Sequence, residues 1–68
     1  MMDIEIKTKW IQLDQLLKLS GVIDTGGMAK HMIKNGEVYR NGEVELRRSK
    51  KIYPGDIIEF NGETIQVK

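Results

Sequence analysis

The chain has 68 residues, 31% of them charged, no cysteine, and a formal net charge of +1. A chain of this length makes one small domain (residues 1–68) that buries only about 60% of its unfolded surface, and without cysteines neither a disulfide framework nor a thiolate metal site supports it. No apolar run approaches the roughly 20 residues of a membrane span, and the Met-Met-Asp-Ile start does not read as a signal peptide, so a cytoplasmic, membrane-free protein, monomeric in state, is expected.

The small net charge conceals its distribution. Residues 30–51 hold seven cations against three carboxylates, a net of +4, while the remainder holds four cations against seven acids, a net of −3. A dipolar molecule with one basic face points towards a polyanionic partner.

Taken in order, Asp3-Ile4-Glu5-Ile6-Lys7 alternates strictly and predicts a short, half-buried strand at a sheet edge. Trp10 follows, close to Lys7 and Lys9. It is able to stack on a base, but a single tryptophan in so small a domain reads first as a core plug. Residues 12–20 predict a helix with Leu13, Leu16 and Leu17 as its buried stripe and Asp14 with Lys18 as an outer i, i+4 pair. Gly21 ends it. Val22 and Ile23 leave only a short connection to a second helix, so the two must meet in a tight corner.

Residues 25–36 form that second helix, with Asp24 and Thr25 both available as caps. Ala29, Met32 and Ile33 share one stripe, and Gly27, Lys30 and Lys34 lie on another face. Gly26 and Gly27 leave the first-turn N–H groups unobstructed at the positive end of the helix dipole, where a phosphate is able to approach. Gly36 suits the left-handed terminus. Asn41-Gly42 then predicts a type I′ hairpin. Its two-residue loop sets Tyr39 opposite Val44 and Arg40 opposite Glu43, with residues 43–46 as the returning strand.

Arg47, Arg48, Lys50 and Lys51 put four cations into five residues, which predicts a solvated loop on the basic face. Tyr53-Pro54-Gly55-Asp56 carries the type II turn signature. Residues 57–67 read as a second Asn-Gly hairpin with Ile58, Phe60, Ile65 and Val67 on one face. The expected architecture is α+β: two packed short helices on a small, mostly antiparallel sheet of four to five strands.

Catalysis finds no support. His31 is the only histidine, no cysteine is present to pair with it, and the acids are scattered rather than paired. One histidine and dispersed carboxylates make no metal site. Gly26-Gly27 lacks the Lys-Ser/Thr of a phosphate-binding loop, so no nucleotide hydrolysis and no cofactor are expected. The chain ends Gln66-Val67-Lys68, without the Gly-Gly through which ubiquitin-like sulfur carriers work.

The residues Leu13-Asp14-Gln15-Leu16-Leu17-Lys18 with Gly21, Thr25 with Ala29-Lys30 and Ile33, Gly36-Glu37-Val38 with Asn41-Gly42, and Lys51 with Pro54-Gly55-Asp56 resemble the S-four RNA-binding domain. That domain is named for protein four of the small ribosomal subunit, and the likeness is strongest to its small stand-alone bacterial members. The resemblance implies the alpha-L fold and binding of structured RNA, ribosomal or transfer RNA, through the helix corner and the following ribbon. Carried over, the face includes Thr25, Lys30, Lys34, Arg40 and Asn41. Many members have Ser-Arg where this chain has Thr25-Gly26, so one cation of the pattern is missing.

The sequence thus leads to a non-enzymatic module for structured RNA, either ribosomal RNA or a ribosome-associated RNA. Its expected contacts are Thr25, Gly26, Gly27, Lys30, Lys34, Arg40, Asn41, Arg47, Arg48, Lys50 and Lys51. No long helix is available to fill a DNA major groove. The alternative is a protein-interaction adaptor whose basic face docks an acidic partner.

Overall fold

Twelve apolar side chains and no polar one form the core, and each element is placed by the stripe it adds to that core. The computed structural model describes residues 1–68. In chain order the elements are β1 (Met2–Ile4), β2 (Ile11–Gln12), α1 (Leu13–Leu19), α2 (Gly26–Lys34), β3 (Val38–Arg40), β4 (Glu43–Val44), β5 (Lys51–Ile52), β6 (Ile57–Phe60) and β7 (Glu63–Val67). A five-stranded sheet runs β1-β7-β6-β3-β4, and β2 pairs with β5 in a separate two-stranded sheet. Only β1 with β7 is parallel.

The helices cover one face of the large sheet. Leu13, Leu16 and Leu17 from α1, and Ala29 and Ile33 from α2, meet Val38, Ile58, Phe60, Ile65 and Val67 from the strands. Ile23, in the connection between the helices, is also buried and closes the corner. Thr25 rather than Asp24 caps α2, its hydroxyl accepting from Met28 N–H at 3.2 Å. At the other end Gly36 takes φ of +75°. Its N–H donates to Ile33 and that of Glu37 to Met32, so two of the orphan carbonyls of the last turn are satisfied. After α1, Gly21 is likewise left-handed, and the Ser20 hydroxyl takes the remaining role by donating to Leu17 and accepting from Val22 N–H.

Both Asn-Gly pairs adopt positive φ at both residues, 52° and 86° in the first hairpin and 49° and 75° in the second. The registers Tyr39 to Val44, Arg40 to Glu43 and Ile58 to Ile65 follow. The turn at residues 53–56 closes with Asp56 N–H donating to Tyr53 and φ of +100° at Gly55.

Five expectations need correction. The first strand keeps its burial alternation but starts at Met2, with Met2–Ile4 as its paired residues, and its parallel bonding runs on only to Ile6: Lys68 N–H donates to the Ile4 carbonyl and Ile6 N–H to the Lys68 carbonyl, both at 2.8 Å. The returning strand is Glu43–Val44 rather than residues 43–46: Glu45 N–H still donates to the Val38 carbonyl at 2.9 Å, and past it the chain leaves the ladder, with the Glu45 carboxylate accepting from Arg47 N–H. The basic loop ends at Lys50, and Lys51 joins β5 opposite Gln12. Asp14 and Lys18 form no ion pair: Asp14 accepts from Gln15 N–H, and Lys18 lies against Gly26. Trp10 is no core plug but half-buried at the surface beneath the Lys51 ammonium, 4.9 Å from its ring centroid.

Leu16 is fully buried between helix and sheet. Leu16→Ala is expected to cost about 2–5 kcal/mol, a large part of the stability of so small a domain, with the slope of urea unfolding unchanged. An unfolding midpoint equal to the parent's would contradict this packing.

Candidate nucleic-acid interface

One segment places most of the cations. Residues 46–51 leave the first hairpin and cross back to α1, where the Arg48 carbonyl accepts from Asp14 N–H at 3.0 Å and the Lys50 carbonyl from Leu13 N–H at 2.9 Å. These bonds satisfy first-turn donors that Gln12 leaves without a side-chain cap. The segment becomes a wall with a cavity on each side.

On one side Leu46 and Arg48 join Lys30, Ile33 and Lys34 of α2 around a cavity of about 150 Å³. Lys30 and Lys34 are exposed one turn apart, while Ala29 and Ile33 point into the core. Leu46, 59% exposed, gives this cationic cleft an apolar edge. On the other side Arg47, Ser49, Lys50 and Lys51 line a cavity of about 370 Å³ with Arg40, Tyr53 and Asp56. Arg47, Arg48, Lys50 and Lys51 form no ion pair, and neither do Lys30 and Lys34.

Arg40 and Asn41 differ from the rest. The Arg40 guanidinium lies 3.6 Å from Glu45 and 3.9 Å from Asp56, and its Nε is buried without a hydrogen-bond partner. Two carboxylates therefore offset its charge before any ligand arrives. Asn41 Nδ2 donates to Asp56 Oδ1 at 3.1 Å, and Asn41 Oδ1 accepts from Ile57 N–H at 2.9 Å. Asp56 Oδ2 accepts in turn from Tyr53 N–H at 2.8 Å. The first hairpin and the turn at residues 53–56 are thus tied through one carboxylate.

Thr25, Gly26 and Gly27 are exposed at the start of α2 and line neither cationic cavity. The cation missing at position 26 has a neighbour: Lys18 crosses from α1, its Nζ about 3.9 Å from where a Cβ on Gly26 would stand. Sequence reasoning missed Lys18 because a local i, i+4 partner explained it. It missed Asp56 and Tyr53 because turn chemistry accounted for both.

The outer face of the large sheet has the opposite sign. Tyr39 and Glu59 are cross-strand partners there, and with Glu37 and Glu63 they line a third cavity of about 250 Å³. His31 is exposed and bonds the Asn35 side chain at 3.0 Å, and no group of three His, Asp or Glu side chains is placed to hold a metal ion.

Comparison with known proteins places these features. The S4 domain family matches residues 4–68. A Bacillus subtilis (strain 168) protein, "Probable ribosome maturation protein RlbA", is 48% identical over 59 residues, covering 87% of this chain and 83% of that protein. The solution structure of YbcJ from Escherichia coli superimposes with a TM-score of 0.75 at 37% identity over 98% of this chain and 86% of YbcJ, and is described as revealing an alfaL motif involved in RNA-binding. The 30S ribosomal protein S4e of Thermoplasma acidophilum shares the fold at a TM-score of 0.64 and 27% identity, over 85% of this chain and 31% of that one.

Asn41→Ala removes both side-chain hydrogen bonds and puts alanine at a φ of 52°. It is expected to cost about 2 kcal/mol, lowering the melting temperature by roughly 10 °C. An unchanged melting temperature would show that the tie between hairpin and turn contributes nothing.

Proposed function

The chain belongs to the S4 domain family, and from that membership we propose that it is a non-enzymatic RNA-binding protein acting on structured RNA of the ribosome or associated with it. The observation that carries the reading is the wall of residues 46–51. Its backbone is pinned to α1 while its cations, unpaired within the protein, face two cavities. Folded RNA presents phosphates at spacings set by its shape, and a rigid array of cations is suited to that shape rather than to a base sequence. Lys30, Lys34, Arg47, Arg48, Lys50 and Lys51 supply the principal phosphate contacts in this reading. Thr25, Gly26 and Gly27 extend the face along α2, with Lys18 beside them, and Arg40 and Asn41 mainly hold it in shape. The relatives' names, a ribosome maturation protein and an alfaL motif involved in RNA-binding, support the choice of a ribosomal RNA target. A cytoplasmic monomer needing no cofactor fits this role.

Binding is expected to weaken with salt. If four to six phosphates are neutralised, the plot of log K against log salt has a slope of about −3 to −5. Lys30→Ala with Lys34→Ala reduces both the affinity and that slope, while stability changes by no more than about 0.5 kcal/mol. Fluorescence anisotropy on a labelled ribosomal RNA hairpin measures both quantities. An unaltered affinity in the double variant would remove α2 from the interface, and complexes in cell extract that survive RNase would favour an acidic protein partner.

A further inference from the structure

Tyr53 has no part in the core, yet its position is fixed. Its N–H is held by Asp56, and its side chain lines the 370 Å³ cavity while the residue remains 47% exposed. Beside it stand Arg47, Lys50 and Lys51, none in an ion pair. Lys51 is steadied by a cation–π contact with Trp10. An aromatic ring among unpaired cations matches the two halves of a nucleotide: a base that stacks and a phosphate that needs positive charge. The volume lies at the small end of ligand cavities, roughly 300–1,000 Å³, the scale of a single nucleotide.

We propose that this cavity receives a single unstacked nucleotide of an RNA strand, its base against Tyr53 and its phosphate against Arg47, Lys50 and Lys51. The proposal rests on the RNA-binding reading above and adds to it a preference for RNA with an unpaired position. A strand is favoured over a free nucleotide because the same wall also borders the cleft of Lys30, Lys34 and Arg48. Phosphates flanking the captured nucleotide therefore meet cations on the far side of residues 46–51. Asp56 does not spoil the site for a phosphate, because Arg40, Arg47, Lys50 and Lys51 outnumber it in the lining and its oxygens already accept from Asn41 and the Tyr53 N–H.

The test uses two RNA hairpins with the same stem, one fully paired and one carrying a single-nucleotide bulge, with affinities measured by anisotropy. The parent protein is expected to prefer the bulged hairpin by about tenfold, the scale of one base stacked on an aromatic ring. Tyr53→Ala is expected to lose that preference while binding the paired stem as before, and Tyr53→Phe to retain it. A 2-aminopurine at the bulge reports on the parent protein without any substitution, and its emission is expected to fall on binding. Equal affinity for the two hairpins, a preference that survives Tyr53→Ala, or unchanged 2-aminopurine emission would overturn the nucleotide pocket while leaving RNA binding intact. Failure to bind either hairpin would overturn the RNA-binding reading itself. Competition by micromolar guanosine or adenosine monophosphate would reassign the cavity to a free nucleotide and overturn the strand proposal.

Discussion

Two backbone hydrogen bonds, from Leu13 and Asp14 N–H to the carbonyls of Lys50 and Arg48, fix the relation between the helices and the charged surface. Every helix begins with donors that no intrahelical carbonyl reaches, and leaving them unmet in a buried setting costs on the order of 1–3 kcal/mol each. Here a chain segment rather than a side chain meets that need. The segment consequently cannot swing free, although nothing in its composition would keep it in place. The adjoining Gln12 to Lys51 pairing extends the same attachment by one residue. Four cations in five residues repel one another, and the wall eases that repulsion by sending Arg48 to one side and Arg47, Lys50 and Lys51 to the other.

Asp56 supplies the second anchor. Its carboxylate gathers Asn41, the Tyr53 N–H and the Arg40 guanidinium, so the first hairpin and the type II turn are tied together. The charge asymmetry is laid out on this frame. Glu37, Glu59 and Glu63 face out from the sheet around Tyr39, whereas the unpaired cations flank the wall. A field of this kind turns a polyanion before contact forms, since phosphates are repelled by an acidic face and drawn to a basic one.

Much of this was legible in the chain, for reasons that are local. Leu13, Leu16 and Leu17 could only make a helix stripe. The two Asn-Gly pairs demanded type I′ turns, and those turns set the register that buries Ile58, Phe60, Ile65 and Val67. Gly36 and Thr25 announced the ends of α2. What escaped the sequence depends on contacts across the fold. Lys18 had a satisfactory neighbour in Asp14 four residues earlier, and only the packed corner shows it leaning on Gly26 instead. Residues 43–46 alternate as a strand should, but after the Glu45 N–H bond to Val38 the chain leaves the ladder, and Arg47 N–H donates to the Glu45 carboxylate instead of to a strand. Residues 47–51 read as a free loop because their attachment to α1 is made by carbonyls, which every residue has and no pattern reveals. Arg40 was identifiable as a cation of the ribbon, but the carboxylates that offset it lie five and sixteen positions away.

In the proposed RNA complex the pinned wall and the cleft beside α2, not the outer face of the sheet, meet the RNA. Titrating isotopically labelled protein with a structured ribosomal RNA fragment and following its amide resonances tests this directly. The largest shifts are expected at residues 46–53 and at Lys30 and Lys34, with Tyr39, Glu59 and Thr64 nearly still. Shifts concentrated on Tyr39, Glu59 and Thr64, with residues 46–53 unmoved, would contradict it.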